Sequence, residues 1–393
     1  MKLLVNIKKL VNKMDKPLLI ITIALFLFGL LNIVTASSRE AVVQYGVSTY
    51  HYFFRQLIML GIGTFLSYIL LNLDTKLYKK IIPFVFVFIL MLVLALFKFG
   101  EEINGAINWL PLPFIGSIQP SEFAKPIIII YVSLLFEKYY RILKTENDIK
   151  KRYEKLGFIL IVACIIPILT FIQKDLGSMM IMMLTFGIMF FVGPLKKIDK
   201  LRTVLLGIVV VTIAIMGLKI KQGYILSPAQ MERFDYYNPC SKYETSGYQI
   251  CNGFIAINDG SIFGLGIGKS KQKYSYIPHP HTDSVFAIIG EEYGLLRCSF
   301  IFLAFLYVLY RILRIASRAT TIRGKYICLG IASYIFIHIF LNLGGLFGLI
   351  PLTGVPLPFL SYGGSYAISL MCSLAVVQRI NIETKSEKIK INN

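Results

Sequence analysis

Long apolar runs recur along the whole chain, and they constrain its fold more than any other feature. About ten of them have roughly the 17–22 residues that a helix needs to cross ~30 Å of hydrocarbon. The chain is 56% hydrophobic and 16% charged, whereas soluble domains carry about 25% charged residues. The sequence therefore predicts an all-α polytopic membrane protein with about ten transmembrane helices. The predicted spans lie at 17–36, 57–73, 82–98, 122–136, 157–173, 178–194, 203–220, 284–310, 326–349 and 364–380.

The positive charges lie on alternate connections between these runs. The formal net charge is +20, which by itself would suit nucleic-acid binding. However, the lysines and arginines cluster before the first run and after every second run. Basic residues favour the cytoplasmic side of a membrane, so both termini are predicted to be cytoplasmic. The charge then serves topology and contact with anionic lipids, and no nucleic-acid partner is expected. The main clusters are Lys8, Lys9, Lys13 and Lys16; Lys76, Lys79 and Lys80; Lys150, Lys151, Arg152 and Lys155; Lys196, Lys197, Lys200 and Arg202; Arg311, Arg314, Arg318 and Arg323; and Lys385, Lys388 and Lys390.

The whole chain, 1–393, is predicted to form a single integral membrane domain. A basic cytoplasmic tail (1–16) precedes the ten-span core (17–380), and a second tail (381–393) follows it. The first apolar run is too long for the core of a signal peptide, so it is predicted to remain as an uncleaved helix. The largest outer loop, 221–282, lies between spans seven and eight and contains Cys240 and Cys251. A disulfide between these cysteines would fit an oxidising outer face, but the sequence leaves their pairing open.

A carboxylate, Asp283, stands where this outer loop meets the eighth span, within the segment PHPHTDSVFAIIGEEYG. Ionisable groups at membrane depth are costly and by default indicate function. Asp283 is therefore a candidate general base. The structural alternative is a helix N-cap, a position that aspartate favours. The alternation His279-x-His281-x-Asp283 is also compatible with a metal site, although no fourth ligand is evident.

Other polar motifs fall on the same predicted outer face. Glu122 and Lys125 are spaced i,i+3 and would pair inside the bundle. Trp109 is either an interfacial anchor or a contact for a sugar or lipid headgroup. The glycine-rich segment GLGIGKSKQKY fails the Walker A spacing, but its lysines could attract a diphosphate. The segment PLTGVPLPFLSYGGS has the broken backbone that membranes tolerate only beside a cavity or against protein. It contains Ser361.

Taken in order, these segments resemble the SEDS family (shape, elongation, division and sporulation proteins), of the FtsW and RodA type. The resemblance extends over about residues 17–380. It rests on Arg55-Gln56, NGAxxW, QPSExxK, QxDLGS, GYQ with the following SxQK, HTDxxFAxxGEExG and N-x(5)-G-x-x-P-x-TG-x-PLPF-x-SYGGS (342–365), which occur here in the family's order. A loop containing STYHYFFRQ looks more like the division type, FtsW, than the elongation type.

The resemblance implies a peptidoglycan glycosyltransferase of the bacterial cytoplasmic membrane, acting in division or shape maintenance. Such an enzyme polymerises lipid II at the outer face with inversion and releases undecaprenyl pyrophosphate. It works beside a class B penicillin-binding transpeptidase and other divisome or elongasome membrane proteins. The family's essential loop aspartate corresponds to Asp283, and a divalent cation (Mg²⁺ or Mn²⁺) could help to neutralise the diphosphate. The residues expected to bind substrate are Arg55, Trp109, Glu122, Lys125, Lys269, Lys271, Lys273, His281 and Ser361.

The chain departs from the family pattern at four positions. His279 replaces a glutamate, Asn108 replaces a basic residue before the tryptophan, Lys174 replaces a proline, and His338 replaces a glutamine. Lys174 could compensate for the basic residue missing at Asn108. Two other functions suit the same topology: a lipid II flippase or transporter, and a non-catalytic scaffold for a transpeptidase.

Overall fold

The computed structural model describes residues 10–43, 45–103, 105–112, 116–222, 238–243, 247–274 and 276–392. Each of the ten predicted apolar runs overlaps a separate helix in these ranges. Seven of the described helices are long and apolar enough to cross a membrane, so the predicted all-α polytopic membrane fold is confirmed. The helices are α1 (Lys16–Val43), α2 (His51–Asn72), α3 (Thr75–Phe99), α4 (Pro120–Lys138), α5 (Tyr140–Thr145), α6 (Ile149–Ile172), α7 (Leu176–Val192), α8 (Lys197–Gln222), α9 (Tyr248–Gly260), α10 (Val285–Arg318), α11 (Ile322–Leu346) and α12 (Gly364–Asn392).

The outer connection between α3 and α4 folds as a small antiparallel sheet, which the apolar pattern does not predict. Its strands are β1 (Glu101–Ile103), β2 (Ala106–Leu112) and β3 (Gly116–Ile118), in the order β1-β2-β3. The turn from β1 to β2 contains Gly105 at a φ of 78°, a conformation that glycine adopts without strain. The sheet carries Trp109 to the outer end of the bundle.

The outer loop before α10 is anchored by a disulfide between Cys240 and Cys251. This bond ties a short 3-10 turn, Pro239–Lys242, to the first turn of α9. The sequence left this pairing open, and the structure resolves it. Residues 223–237, 244–246 and 275 of this loop lie outside the described residues.

Helix α11 lies at the centre of the bundle and contacts α4, α7, α10 and α12. In its most apolar window 83% of the residues are buried, compared with 39% in α1. Helix α10 is interrupted at Gly294, whose φ of 78° and ψ of 169° are not helical. The glycine-rich segment after α9 pairs with this break, since Leu265 donates its N–H to the Glu291 carbonyl at 2.9 Å.

Candidate active site

A cavity of about 690 Å³ opens at the outer end of the bundle. Five parts of the chain form its wall: β2, the first turns of α4 and α7, the start of α9, residues 278–283 and residues 352–356. Its polar lining residues are Asn108, Trp109, Gln119, Glu122, Lys125, Lys174, Asp175, Ser178, Gln249, His279, Thr282, Asp283 and Thr353. The cavity therefore gathers side chains that lie up to 245 positions apart in the sequence (Asn108 to Thr353).

Asp283 lies on the cavity wall, half-buried, immediately before α10. Burial raises the pKa of its carboxyl group, and a hydrogen bond from the Thr282 hydroxyl to Oδ1, at 3.0 Å, works in the opposite direction. The N-cap position of α10 falls on Ser284, and no side chain makes a cap hydrogen bond there. The carboxylate of Asp283 is thus left facing the cavity, and the N-cap alternative does not account for it.

The backbone around Asp283 is fixed by side chains from later in the chain. Asn342 Nδ2, from α11, donates to the Asp283 carbonyl at 2.6 Å and to the Val355 carbonyl at 2.7 Å. Ser361 Oγ donates to the Thr282 carbonyl at 2.5 Å. Ser361 does not line the cavity, so its contact with the site is through the Thr282 backbone. Asn342 is the first residue of the last family motif (342–365), but the sequence alone did not identify it as a supporting residue.

Glu122 and Lys125 form the ion pair that their i,i+3 spacing predicted, with 2.7 Å between Nζ and Oε1. Both side chains are buried and both line the cavity. Glu122 Oε2 has no hydrogen-bond partner among the described residues. A buried carboxylate oxygen without a partner is costly, so this part of the wall is suited to a polar group of a bound molecule.

The second aspartate of the cavity, Asp175, stabilises the local structure. Its Oδ2 accepts hydrogen bonds from Asn108 Nδ2 and Gln119 Nε2, each at 3.0 Å, and its Oδ1 accepts one from the Ser178 N–H at 3.0 Å. Asp175 therefore caps α7 and joins this helix to β2 and α4. Because its oxygens are occupied in this way, Asp283 is the better candidate for a proton acceptor.

Lys174 is an exposed cation on the cavity wall. Its φ of 63° is unusual for a residue with a Cβ. A proline could not adopt this angle, so the structure is consistent with the lysine found here. Among the described residues, Lys174 forms no ion pair, in contrast to Lys125. The signal for it in the sequence is a cation inside the QxDLGS motif.

The lysines of the glycine-rich segment lie away from the cavity. Lys273 is buried, where its Nζ contacts Glu292 Oε1 at 3.0 Å and donates to the Gly268 carbonyl at 2.6 Å. Lys269 and Lys271 are exposed and do not line the cavity. Gly264 of this segment serves packing, since a Cβ there would overlap the backbone of α10.

The side chains of Arg55 and His281 do not line the cavity. His281 is buried against Tyr52, with 4.3 Å between ring centroids, and against Tyr362 at 5.3 Å. Arg55 is exposed and does not line the cavity. Trp109, in contrast, is half-buried and lines the cavity. Of the residues expected to bind substrate, the structure therefore brings Trp109, Glu122 and Lys125 together with Asp283.

The two histidines before Asp283 both direct Nδ1 toward Glu40. The distances are 2.7 Å from His279 to Oε1 and 3.2 Å from His281 to Oε2. Among the described residues, no group of three His, Cys, Asp or Glu side chains is arranged to hold a metal ion. The alternating His-x-His-x-Asp pattern thus corresponds to a carboxylate–histidine cluster in this structure.

Known proteins similar to this chain cover nearly its whole length. The family model described as "Cell cycle protein", which represents FtsW, RodA and SpoVE, matches residues 16–386. The probable peptidoglycan glycosyltransferase FtsW of Bacillus subtilis (strain 168) is 32% identical over 98% of this chain and 94% of its own length. Stage V sporulation protein E of the same organism is 34% identical over 93% of this chain and 96% of its own length.

Two solved structures share the fold. A chain from a peptidoglycan synthase complex that coordinates polymerization and crosslinking superposes with a TM-score of 0.72, at 21% identity, covering 94% of this chain and 98% of its own. The rod shape determining protein RodA of Thermus thermophilus gives a TM-score of 0.66, at 21% identity, covering 94% of this chain and 96% of its own. The match to the family model and the identity to full-length relatives lead to one conclusion. This chain is a multi-pass membrane protein that belongs to the cell cycle protein family of FtsW, RodA and SpoVE.

Proposed function

We propose that this protein is a peptidoglycan glycosyltransferase that polymerises lipid II at the outer face of the bacterial cytoplasmic membrane. The observation that carries the proposal is the position of Asp283, whose carboxylate faces a polar cavity at the outer end of the bundle. Its relatives include proteins named as peptidoglycan glycosyltransferases. The cavity lies on the side that the positive-inside rule assigns to the exterior.

In the proposed reaction Asp283 acts as a general base. It takes the proton from the 4-hydroxyl of the acceptor GlcNAc, and that oxygen forms a bond to the anomeric carbon of the donor MurNAc. The bond from this carbon to the diphosphate breaks, and undecaprenyl pyrophosphate leaves with the electron pair. Burial raises the pKa of Asp283, which brings the base closer to the operating pH and improves proton transfer.

The leaving diphosphate requires positive charge more than it requires an acid. Lys125 and Lys174 are the lysines of the cavity wall, and we assign this role to them. Lys125 is already balanced by Glu122 at 2.7 Å, so Lys174 supplies the uncompensated charge. A divalent cation, Mg²⁺ or Mn²⁺, would supply further positive charge to neutralise the diphosphate.

A class B penicillin-binding transpeptidase is the proposed partner, alongside other membrane proteins of the divisome or elongasome. One structural neighbour comes from a complex that coordinates polymerization with crosslinking, and this supports a crosslinking enzyme as partner. Strand synthesis and crosslinking would then proceed at the same place on the membrane surface.

Two alternatives differ from the polymerase in what they require of Asp283. A flippase moves the lipid-linked precursor and requires charged sites that are reachable from both faces. A scaffold requires binding surfaces but no carboxylate in a cavity. The crowding of polar side chains at the outer end favours the polymerase over both.

Polymerisation of purified lipid II tests the proposal. Wild type and Asp283→Asn would be compared, each with a class B transpeptidase inactivated at its nucleophile. We expect long glycan from wild type and none from the variant, because asparagine cannot take the proton. Asp259→Asn is the matched control, since Asp259 lies on α9 outside the cavity lining. Equal product from wild type and Asp283→Asn would remove Asp283 from the chemistry, and translocation without polymerisation would favour the flippase.

A further inference from the structure

A buried carboxylate on α1 joins this helix to the loop that carries Asp283. Glu40 lies in the last turn of α1 and its side chain is 6% exposed. Its two oxygens contact the Nδ1 atoms of His279 and His281, at 2.7 and 3.2 Å. These histidines lie four and two residues before Asp283, so one side chain contacts two positions of the five-residue segment 279–283.

Hydrogen bonds of Thr282 connect His279, which contacts Glu40, to the carboxylate of Asp283. The Thr282 hydroxyl contacts the His279 carbonyl at 2.7 Å and Asp283 Oδ1 at 3.0 Å. His279 itself has a φ of 44°, which is strained for a residue with a Cβ and persists only when the surroundings impose it. The hydrogen bond that His279 Nδ1 donates to Glu40 Oε1 is positioned to impose this conformation.

The second histidine secures the other side of the same segment. The His281 carbonyl accepts a hydrogen bond from the Tyr362 N–H at 2.8 Å, and the His281 ring packs against Tyr52 and Tyr362, which also contact each other. Because His281 is 3% exposed, Glu40 Oε2 is the carboxylate oxygen that faces its buried Nδ1. Loss of Glu40 would leave this nitrogen without its acidic partner.

We propose that Glu40 is a positioning residue for Asp283: it holds the base loop in its working conformation through His279 and His281. The inference rests on the proposed function, since positioning has a kinetic consequence only where Asp283 acts as a base. It assigns a role to the outer end of α1, which does not itself line the cavity.

We call the contact of Glu40 with His279 and His281 the clamp. Its strength is expected to depend on pH through His279. The hydrogen bond that His279 donates to the Glu40 carboxylate raises the pKa of His279, and the charge of Asp283 acts in the same direction. The histidine is half-exposed, so it exchanges protons with the outer solution. The charged pair is complete below the ordinary histidine pKa of about 6.5 and is lost as the pH rises through the raised value. Among the described residues, other charged or titratable groups near this pair include His281, Tyr45, Tyr52, Arg55 and Tyr362.

Polymerisation should therefore follow a bell-shaped pH profile. Its acidic limb reflects ionisation of Asp283, and its alkaline limb reflects loss of the proton from His279. Replacing His279 by lysine keeps a cation opposite Glu40 at all these pH values, so we expect His279→Lys to move the alkaline limb to higher pH. The His279→Gln variant should have low polymerisation activity at every pH in this range. Coincident alkaline limbs for wild type and His279→Lys would overturn the role of His279 in the clamp.

Glu40 itself is tested by Glu40→Gln and Glu40→Ala. We expect a roughly 10- to 100-fold fall in polymerisation, because small displacements of a catalytic group have effects of this size. Glu102→Gln on β1 is the matched control, since Glu102 is exposed and outside the cavity lining. Unchanged rates in both Glu40 variants would overturn the proposal.

A second measurement separates this inference from the proposed function. Amide hydrogen exchange at His279 and residues 281–284 is measured without substrate, in wild type and Glu40→Gln. We expect faster exchange at these positions in the variant and unchanged exchange in α11. Unaltered exchange at the loop would refute the clamp even if polymerisation fell. A wild type that makes no glycan would refute the polymerase, while the exchange data would still decide whether Glu40 holds the loop.

Discussion

At the scale of single residues, the cavity distinguishes among the lysines of the outer face. Lys273 is neutralised by Glu292 and Lys125 by Glu122, at 3.0 and 2.7 Å. Lys269 and Lys271 are exposed to solvent beyond the cavity. Lys174 alone of these combines a place on the cavity wall with a charge that no described carboxylate pairs. It should therefore dominate the electrostatic contact with the diphosphate.

The residue-scale prediction concerns the substitution Lys174→Gln. A hydrogen bond to a charged group contributes about 1.5–3 kcal/mol, so we expect kcat/KM for lipid II to fall roughly 10- to 100-fold. Lys174→Arg should retain most of the activity because it keeps the charge. Lys271→Gln is the matched control and should remain close to wild type. Equal effects of Lys174→Gln and Lys271→Gln would indicate general surface attraction of the lipid rather than a binding site.

The sequence located part of this site because spacing within one helix or one motif is local information. The i,i+3 spacing of Glu122 and Lys125 was sufficient to predict their ion pair, and the position of Asp283 before a span predicted that it faces the outer end. The sequence did not show that Lys269, Lys271 and Lys273 lie outside the cavity. They do so because their segment folds back on the break in α10 at Gly294. That contact joins residues about 30 positions apart, and no periodicity in either segment reports it.

At the scale of elements, α1 supports the site by packing closely on the segment 351–363. A Cβ at Gly29 would meet the carbonyl oxygen of Phe359 and would lie 2.9 Å from Leu360 Cα. Phe359 has a φ of 69°, and its ring contacts Phe26 of α1 with 5.0 Å between centroids. Ser361, two residues later, holds the Thr282 carbonyl. The contact at Gly29 therefore connects the position of α1 to the Asp283 loop.

The element-scale prediction compares two glycine substitutions in helices. Gly29→Ala must displace backbone atoms, and overpacking of this kind costs about 1–3 kcal/mol. Gly61→Ala in α2 meets no atom within 4 Å and should be neutral or stabilising by up to ~1 kcal/mol. Thermal unfolding in detergent would measure both. We expect a lower Tm and weaker polymerisation for Gly29→Ala only, and equal Tm values would show that α1 can shift without cost.

At the scale of the whole molecule, the two ends of the bundle differ in how their charges are used. At the basic end, Arg323 of α11 contacts Glu137 of α4 at 3.0 Å and Thr75 of α3 at 3.0 Å. Thr75 in turn donates to Glu383 of α12 at 2.5 Å, so four helices are joined there. At the outer end, Asp283 and Lys174 both line the cavity, and among the described residues Lys174 forms no ion pair. Stability and activity should therefore respond to different substitutions.

The whole-molecule prediction tests this separation with two partners of one carboxylate. Arg323 is 6% exposed and Lys79 is 53% exposed, and both contact Glu137. Arg323→Met removes a buried charge partner, and we expect a loss toward the lower end of ~3–5 kcal/mol because Glu137 keeps Lys79. Lys79→Met removes a solvent-screened partner and should cost at most ~1 kcal/mol. Thermal unfolding of both variants in detergent gives this comparison.

Kinetics on the folded protein complete the test. Arg323→Met should lower the Tm by several degrees while its KM for lipid II stays at the wild-type value, because the substituted residue lies at the opposite end of the bundle from the cavity. Lys174→Gln should do the reverse, with an unchanged Tm and weaker substrate binding. Loss of an ion pair between helices lowers the free energy of unfolding, whereas substrate binding depends on the groups that line the cavity. A raised KM in Arg323→Met, measured well below its Tm, would show that the packing of α4 and α11 couples the basic end to the Glu122–Lys125 pair.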